Sequence, residues 1–152
     1  MSSNTLNLTF KALNGKIKSI TEDEIMEIGK VFTIETTVTD KDTAKVFGSG
    51  TLPVLATPRM LALMEEASYK CVAEMLDEGS STVGTHLDVK HLAATPVGMK
   101  VMVESTLVEA DGRRLVFDVK AYDESGLIGE GKHERFVVFS ERFVAKTYSK
   151  LK

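Results

Sequence analysis

The stretch LATPRMLALMEEASYKCVAEMLDEG, Leu55 to Gly79, decides the fold, because it is the only long helical pattern in the chain. Thr57 reads as its N-cap and Pro58 as N1, where proline's missing N–H leaves no bond unmade. Gly79, after the last apolar turn, reads as the C′ residue. At about 100° of rotation per residue, Met60, Leu61, Leu63, Met64, Ala67, Cys71, Val72 and Met75 share one wide stripe. A helix this apolar requires a large cover.

Its two adjacent glutamates differ. Glu66 falls on the polar side beside Lys70, where an i,i+4 pair is ordinary surface chemistry. Glu65 falls on the other flank, among Leu61, Tyr69, Val72 and Leu76. Two readings of it stay open. In one, partial desolvation makes its proton chemistry useful near neutral pH; in the other, it edges the stripe and reaches water.

Outward from the helix the pattern is β. Before it, Val31 to Thr39 is rich in β-branched residues, with Phe32, Ile34 and Val38 on one face, and a polar loop follows from Asp40 to Gly50. After it, alternation from Val83 to Ala94 puts Val83, Thr85, Leu87, Val89, His91 and Ala93 together. Further strands are expected over Val101–Val108, Leu115–Tyr122 and Leu127–Phe139, with turns at Thr95–Gly98, Asp111–Gly112 and Glu124–Gly126. Upstream, Leu6, Leu8 and Phe10 alternate as a short strand, Asn14–Gly15 signals a turn, and Thr21 with Glu24 matches a capping box before Ile25. Residues 1–28 therefore read as an N-terminal extension packed on a single domain spanning 29–152.

One strand, one apolar helix and four strands in meander make an α+β layer. The sheet, antiparallel and five- to six-stranded, must curl around the central helix, which is the hotdog arrangement. Its free edges and residual apolar surface predict a homodimer.

A chain of 152 residues can bury a real core, and 43% hydrophobic residues argue against disorder. A net charge of −3 with interspersed signs leaves no nucleic-acid footprint. The one cysteine, Cys71, lies in the helix stripe and forms no intrachain disulfide. The start MSSNTLNLTF resembles no signal peptide and no segment is long enough to span a bilayer, so a cytoplasmic protein is expected.

Three histidines and one cysteine give no zinc spacing, so no metal is expected, and Gly48-Ser49-Gly50 leads to no phosphate-loop lysine. What remains is polar residues in apolar settings: Thr57 at the helix start, Glu65 on its shoulder and His91 on a strand's apolar face. Each has a structural reading as well: an N-cap for Thr57, and a hydrogen-bonded core residue for His91. Gly84 is either a loose point before a strand or a bare backbone that a ligand approaches.

The runs LATPRMLALMEEAS (55–68), GTHLDVKHLAATPVG (84–98) and GEGKHERFVV (129–138) closely resemble the hotdog thioesterases typified by fluoroacetyl-CoA thioesterase, over roughly Gly29 to Lys146. The resemblance implies that Thr57, Glu65 and His91 form an active site, that Gly84 lies near the thioester carbonyl, and that Arg135 is a structural or pantetheine-side residue. It implies hydrolysis of a small acyl-CoA by Glu/His-assisted water attack, or by a mixed anhydride on Glu65. No cofactor is then needed, CoA being part of the substrate. A non-catalytic acyl-CoA-binding hotdog module is the alternative. One departure stands out: the family's aromatic lid residues before the helix are replaced by VFGSGTLPVL, with Phe47 a shifted substitute.

Overall fold

The structure, a computed structural model, describes strands Leu8–Leu13 (β1) and Lys16–Thr21 (β2) and all of residues 26–152. Residues 1–7, 14–15 and 22–25, on which Leu6 of the expected first strand, the Asn14–Gly15 turn and most of the capping box fall, lie outside the described residues. β1 and β2 form a two-stranded antiparallel sheet of their own. The body is a five-stranded antiparallel sheet in the order β3 (Val31–Thr37), β5 (Lys100–Asp111), β6 (Arg114–Asp123), β7 (Gly126–Phe139), β4 (Ser80–His91). A short helix, α1 (Ala44–Phe47), precedes the long helix α2 (Thr57–Val72), and α3 (Ser140–Tyr148) follows β7.

The expected meander needs one correction. β5, β6 and β7 are consecutive neighbours, but β4 pairs with β7 rather than with β5. The slot beside β5 is taken by β3, whose Ile34 lies opposite Val103. The link between β3 and β4 must therefore carry the chain from one sheet edge to the other, and α2 makes that crossing over the sheet's face. Hence the helix is apolar: Met60, Leu63, Met64, Ala67, Cys71 and Val72 are buried against strand residues such as Val103, Phe117 and Val119. Ser68, absent from the expected stripe, is also buried, and its hydroxyl bonds the Met64 carbonyl (2.7 Å) and the Ser105 hydroxyl (2.8 Å). Those bonds make the burial of a polar group tolerable.

Both helix ends differ from expectation. The N-cap position is Ala56, and Thr57 is the first helical residue. The α-helix stops at Val72 and continues as a 3₁₀ turn over Ala73–Met75. Gly79, at φ +82°, belongs to the turn into β4, where Ser80 N–H bonds the Asp77 carbonyl at 3.0 Å. Among the described residues no helix is long and apolar enough to cross a membrane.

Candidate active site

Thr57 does not cap the helix because its hydroxyl is engaged across it: Oγ1 lies 2.7 Å from His91 Nδ1 on β4. The other ring nitrogen of His91, Nε2, is buried with no hydrogen-bond partner among the described residues. Burial holds the His91 pKa below its ordinary 6.5, opposed by a backbone contact at Ala93, so the imidazole is neutral at pH 7. The pair sits at the positive end of the α2 dipole.

Glu65 lies two turns further along the same helix. Its Oε2 is 3.5 Å from Arg135 Nη1 on β7, and its side chain is 40% exposed. The desolvation raised for it is thus only partial. Arg135 is the deeper partner, with a side chain 7% exposed. Its Nε donates to Thr82 Oγ1 (2.7 Å), its Nη2 to the Thr82 carbonyl (2.8 Å) and its Nη1 to His133 Nε2 (3.1 Å). The Tyr69 ring covers the guanidinium at 5.9 Å.

Gly84 is where backbone and carboxylate meet. A Cβ built there would stand 2.6 Å from Glu65 Oε2. This placement differs from simple alternation, which put Val83 and His91 on one face and Gly84 on the other. The register slips between Gly84 and His86, so Thr85 is left out of the pairing with β7. Such a bulge exchanges the faces on its two sides. Thr82 and Gly84 before it, and Val89 and His91 after it, all face α2.

Sequence reasoning passed over His133. It is wholly buried; Nδ1–H donates to the His86 carbonyl at 2.8 Å and Nε2 accepts from Arg135. Burial keeps it below the ordinary 6.5; the His86 carbonyl opposes that shift and the Arg135 charge adds to it. Its i,i+2 spacing from Arg135 in a strand was the available signal, since such residues share a face.

One chain therefore presents two clusters, Thr57–His91 and Glu65–Gly84–Arg135–His133. Eight residues of helix separate Thr57 from Glu65, about 12 Å of rise. Glu66, by contrast, forms its surface pair with Lys70 at 2.7 Å. Among the described residues no group of three or more His, Cys, Asp or Glu is placed to hold a metal ion.

The single helix wrapped by an antiparallel sheet is the hotdog arrangement, and the relatives that share it place this chain among the hotdog-fold thioester hydrolases. A family model described as fluoroacetyl-CoA-specific thioesterase matches residues 38–141. The fluoroacetyl-CoA thioesterase of Streptantibioticus cattleyicolor is 43% identical over 97 residues, 64% of this chain and 70% of that protein. A solved structure of a mutant fluoroacetyl-CoA thioesterase in complex with acetyl-CoA matches with a TM-score of 0.80 at 35% identity, covering 84% of this chain and 100% of that one. A Thermus thermophilus hypothetical protein, described as a thioesterase superfamily member, matches with a TM-score of 0.74 at 32% identity, covering 82% of this chain and 91% of that one. The chain belongs to the fluoroacetyl-CoA thioesterase family.

Proposed function

We propose that the chain hydrolyses short acyl-CoA thioesters by direct water attack, with Glu65 as general base, in sites completed by a second copy of itself. The observation that carries this reading is the Glu65 carboxylate, poised over the bare Gly84 backbone and tied to the buried Arg135. Glu65 takes a proton from water as its oxygen adds to the carbonyl carbon; the C–S bond then breaks and CoA leaves. A thiol pKa of about 8.5 means that the leaving group needs little acid assistance. The developing oxyanion is met by backbone N–H groups, at Gly84 or in the first turn of α2. His91 contributes through Nε2: if Nδ1 accepts the Thr57 hydroxyl proton, Nε2 is a donor, and in the other tautomer it is an acceptor. CoA enters as part of the substrate, and no cofactor is required.

Two further features support the finer points. β4 is a 12-residue edge strand whose residues 84–88 are all exposed, an unpaired edge that a second β4 can cover. Antiparallel pairing of two such edges about their middle would set the Glu65 cluster of each protomer opposite the Thr57–His91 pair of the other. For the acyl group, residues 48–52 before α2 are all exposed and Phe47 is 48% exposed, so this loop packs no ring down as a lid. An unsealed site selects by apolar burial, which separates neighbouring homologues by about 10–200-fold.

The test is thiol release from acetyl-, propionyl-, butyryl- and fluoroacetyl-CoA, with light scattering on the same sample. Turnover of several short thioesters by a dimer is expected. A preference for fluoroacetyl-CoA over acetyl-CoA by several orders of magnitude would refute the open-site reading, and a monomer mass would refute the shared site.

A further inference from the structure

We propose that His133 is a positioning residue for Glu65: it donates Nδ1–H to the His86 carbonyl, offers Nε2 to Arg135, and so fixes the guanidinium that holds the carboxylate. The geometry of one –NH₂ group carries the argument. Arg135 Nη1 bears two hydrogens in the guanidinium plane, and His133 Nε2 takes one of them at 3.1 Å. The other points about 120° away from it, and Glu65 Oε2 stands 3.5 Å from that same nitrogen as its ion-pair partner. Thr82 anchors the rest of the fork with two further bonds of 2.7 and 2.8 Å, so the plane cannot turn to compensate. A protonated His133 would lose its acceptor and face Arg135 as a like charge. Its full burial beside the Phe117 ring, 6.3 Å away, works against that state. Nothing about His133 requires contact with substrate; it acts through Arg135.

This inference rests on the proposed role of Glu65, and the experiment separates the two. His133→Asn retains an N–H for the His86 carbonyl but does not reach Arg135; His133→Gln places its amide oxygen near the position of Nε2. In acetyl-CoA hydrolysis, His133→Asn is expected to lower kcat at least ~10-fold and up to about 10²-fold, as a misplaced catalytic group does, with KM little changed. His133→Gln is expected to recover most of that loss. In a Glu65→Gln background, His133→Asn is expected to cost nothing more. Equal losses in both backgrounds, or a Gln variant as poor as the Asn variant, would overturn the proposal. Should Glu65→Gln itself leave kcat unchanged, the reading of Glu65 fails, and that of His133 with it. If the Asn variant does not fold, ¹⁵N spectra of the wild-type imidazoles decide at neutral pH: a protonated Nδ1 with a bare Nε2 on His133 is expected, and a protonated Nε2 would overturn the proposal.

Discussion

His91 and His133 sit on neighbouring strands, both facing α2 and both held neutral by burial, yet their nitrogens are used differently. His133 is sealed, one nitrogen on a backbone carbonyl and the other on a guanidinium. His91 is bonded to Thr57 through one nitrogen and leaves the other buried and unmatched. An unpaired buried polar atom costs about 1–3 kcal/mol, so the fold gains nothing from His91 Nε2 as it stands. The comparison teaches how to sort polar residues in a core: the fully satisfied one holds the machinery, and the one with a spare valence belongs to the chemistry.

The largest expected effect lies in the carboxylate that both halves serve. Glu65→Gln should lower kcat for thioester hydrolysis by about 10²–10⁴-fold, the usual loss for a general base. Glu66→Gln, which breaks only a surface pair with Lys70, should leave it nearly unchanged. Steady-state thiol release compares them directly, and similar mild losses would break the assignment. Next comes Gly84→Ala, whose Cβ would meet Glu65 Oε2 at 2.6 Å. It should cost about 10²-fold in kcat by displacing the carboxylate, with little change in melting temperature.

The histidines themselves should part company in stability. His133→Leu strands a donor on Arg135 and the His86 carbonyl, a cost of about 1–3 kcal/mol for each group left unpaired. His91→Leu removes an already orphaned nitrogen, and the Thr57 hydroxyl it also releases is exposed and can turn to water, so its melting temperature should hold or rise while turnover falls. Thermal melts beside activity assays check both, and a strongly destabilised His91→Leu would erase the contrast. The smallest effect is on pH. Both imidazoles have folded pKa values below 6.5, so below that pH the unfolded chain takes up protons that the folded one refuses. Stability should therefore fall as pH drops below 6.5, and His133→Gln should flatten the dependence in pH-stepped melts.

Much of this was legible in the sequence, for local reasons. The stripe of α2 and the Glu66–Lys70 pair follow from helical periodicity, and the Asp111–Gly112 turn follows from a glycine that tolerates φ +59°. What escaped was non-local. The bulge at Thr85 depends on how β4 meets β7, and it carries Gly84 to the face of α2, against simple alternation. Arg135 entered only through the family resemblance and His133 not at all, because their burial is possible only once Thr82, the His86 carbonyl and Glu65 surround them. Thr57 read as a cap because no local pattern shows that a histidine 34 residues on will claim its hydroxyl.

The central claim is that the open and sealed halves of the site meet only between two copies of the chain. Mixing Glu65→Gln and His91→Gln protomers, each inactive alone, tests it most directly. Assembled from both, the heterodimer has one site lacking both residues and one site intact, and thioesterase activity should reappear toward half that of the wild-type dimer. If Glu65 and His91 of the same protomer worked together, every site in the mixture would carry one defect, and activity would remain at the level of the separate variants.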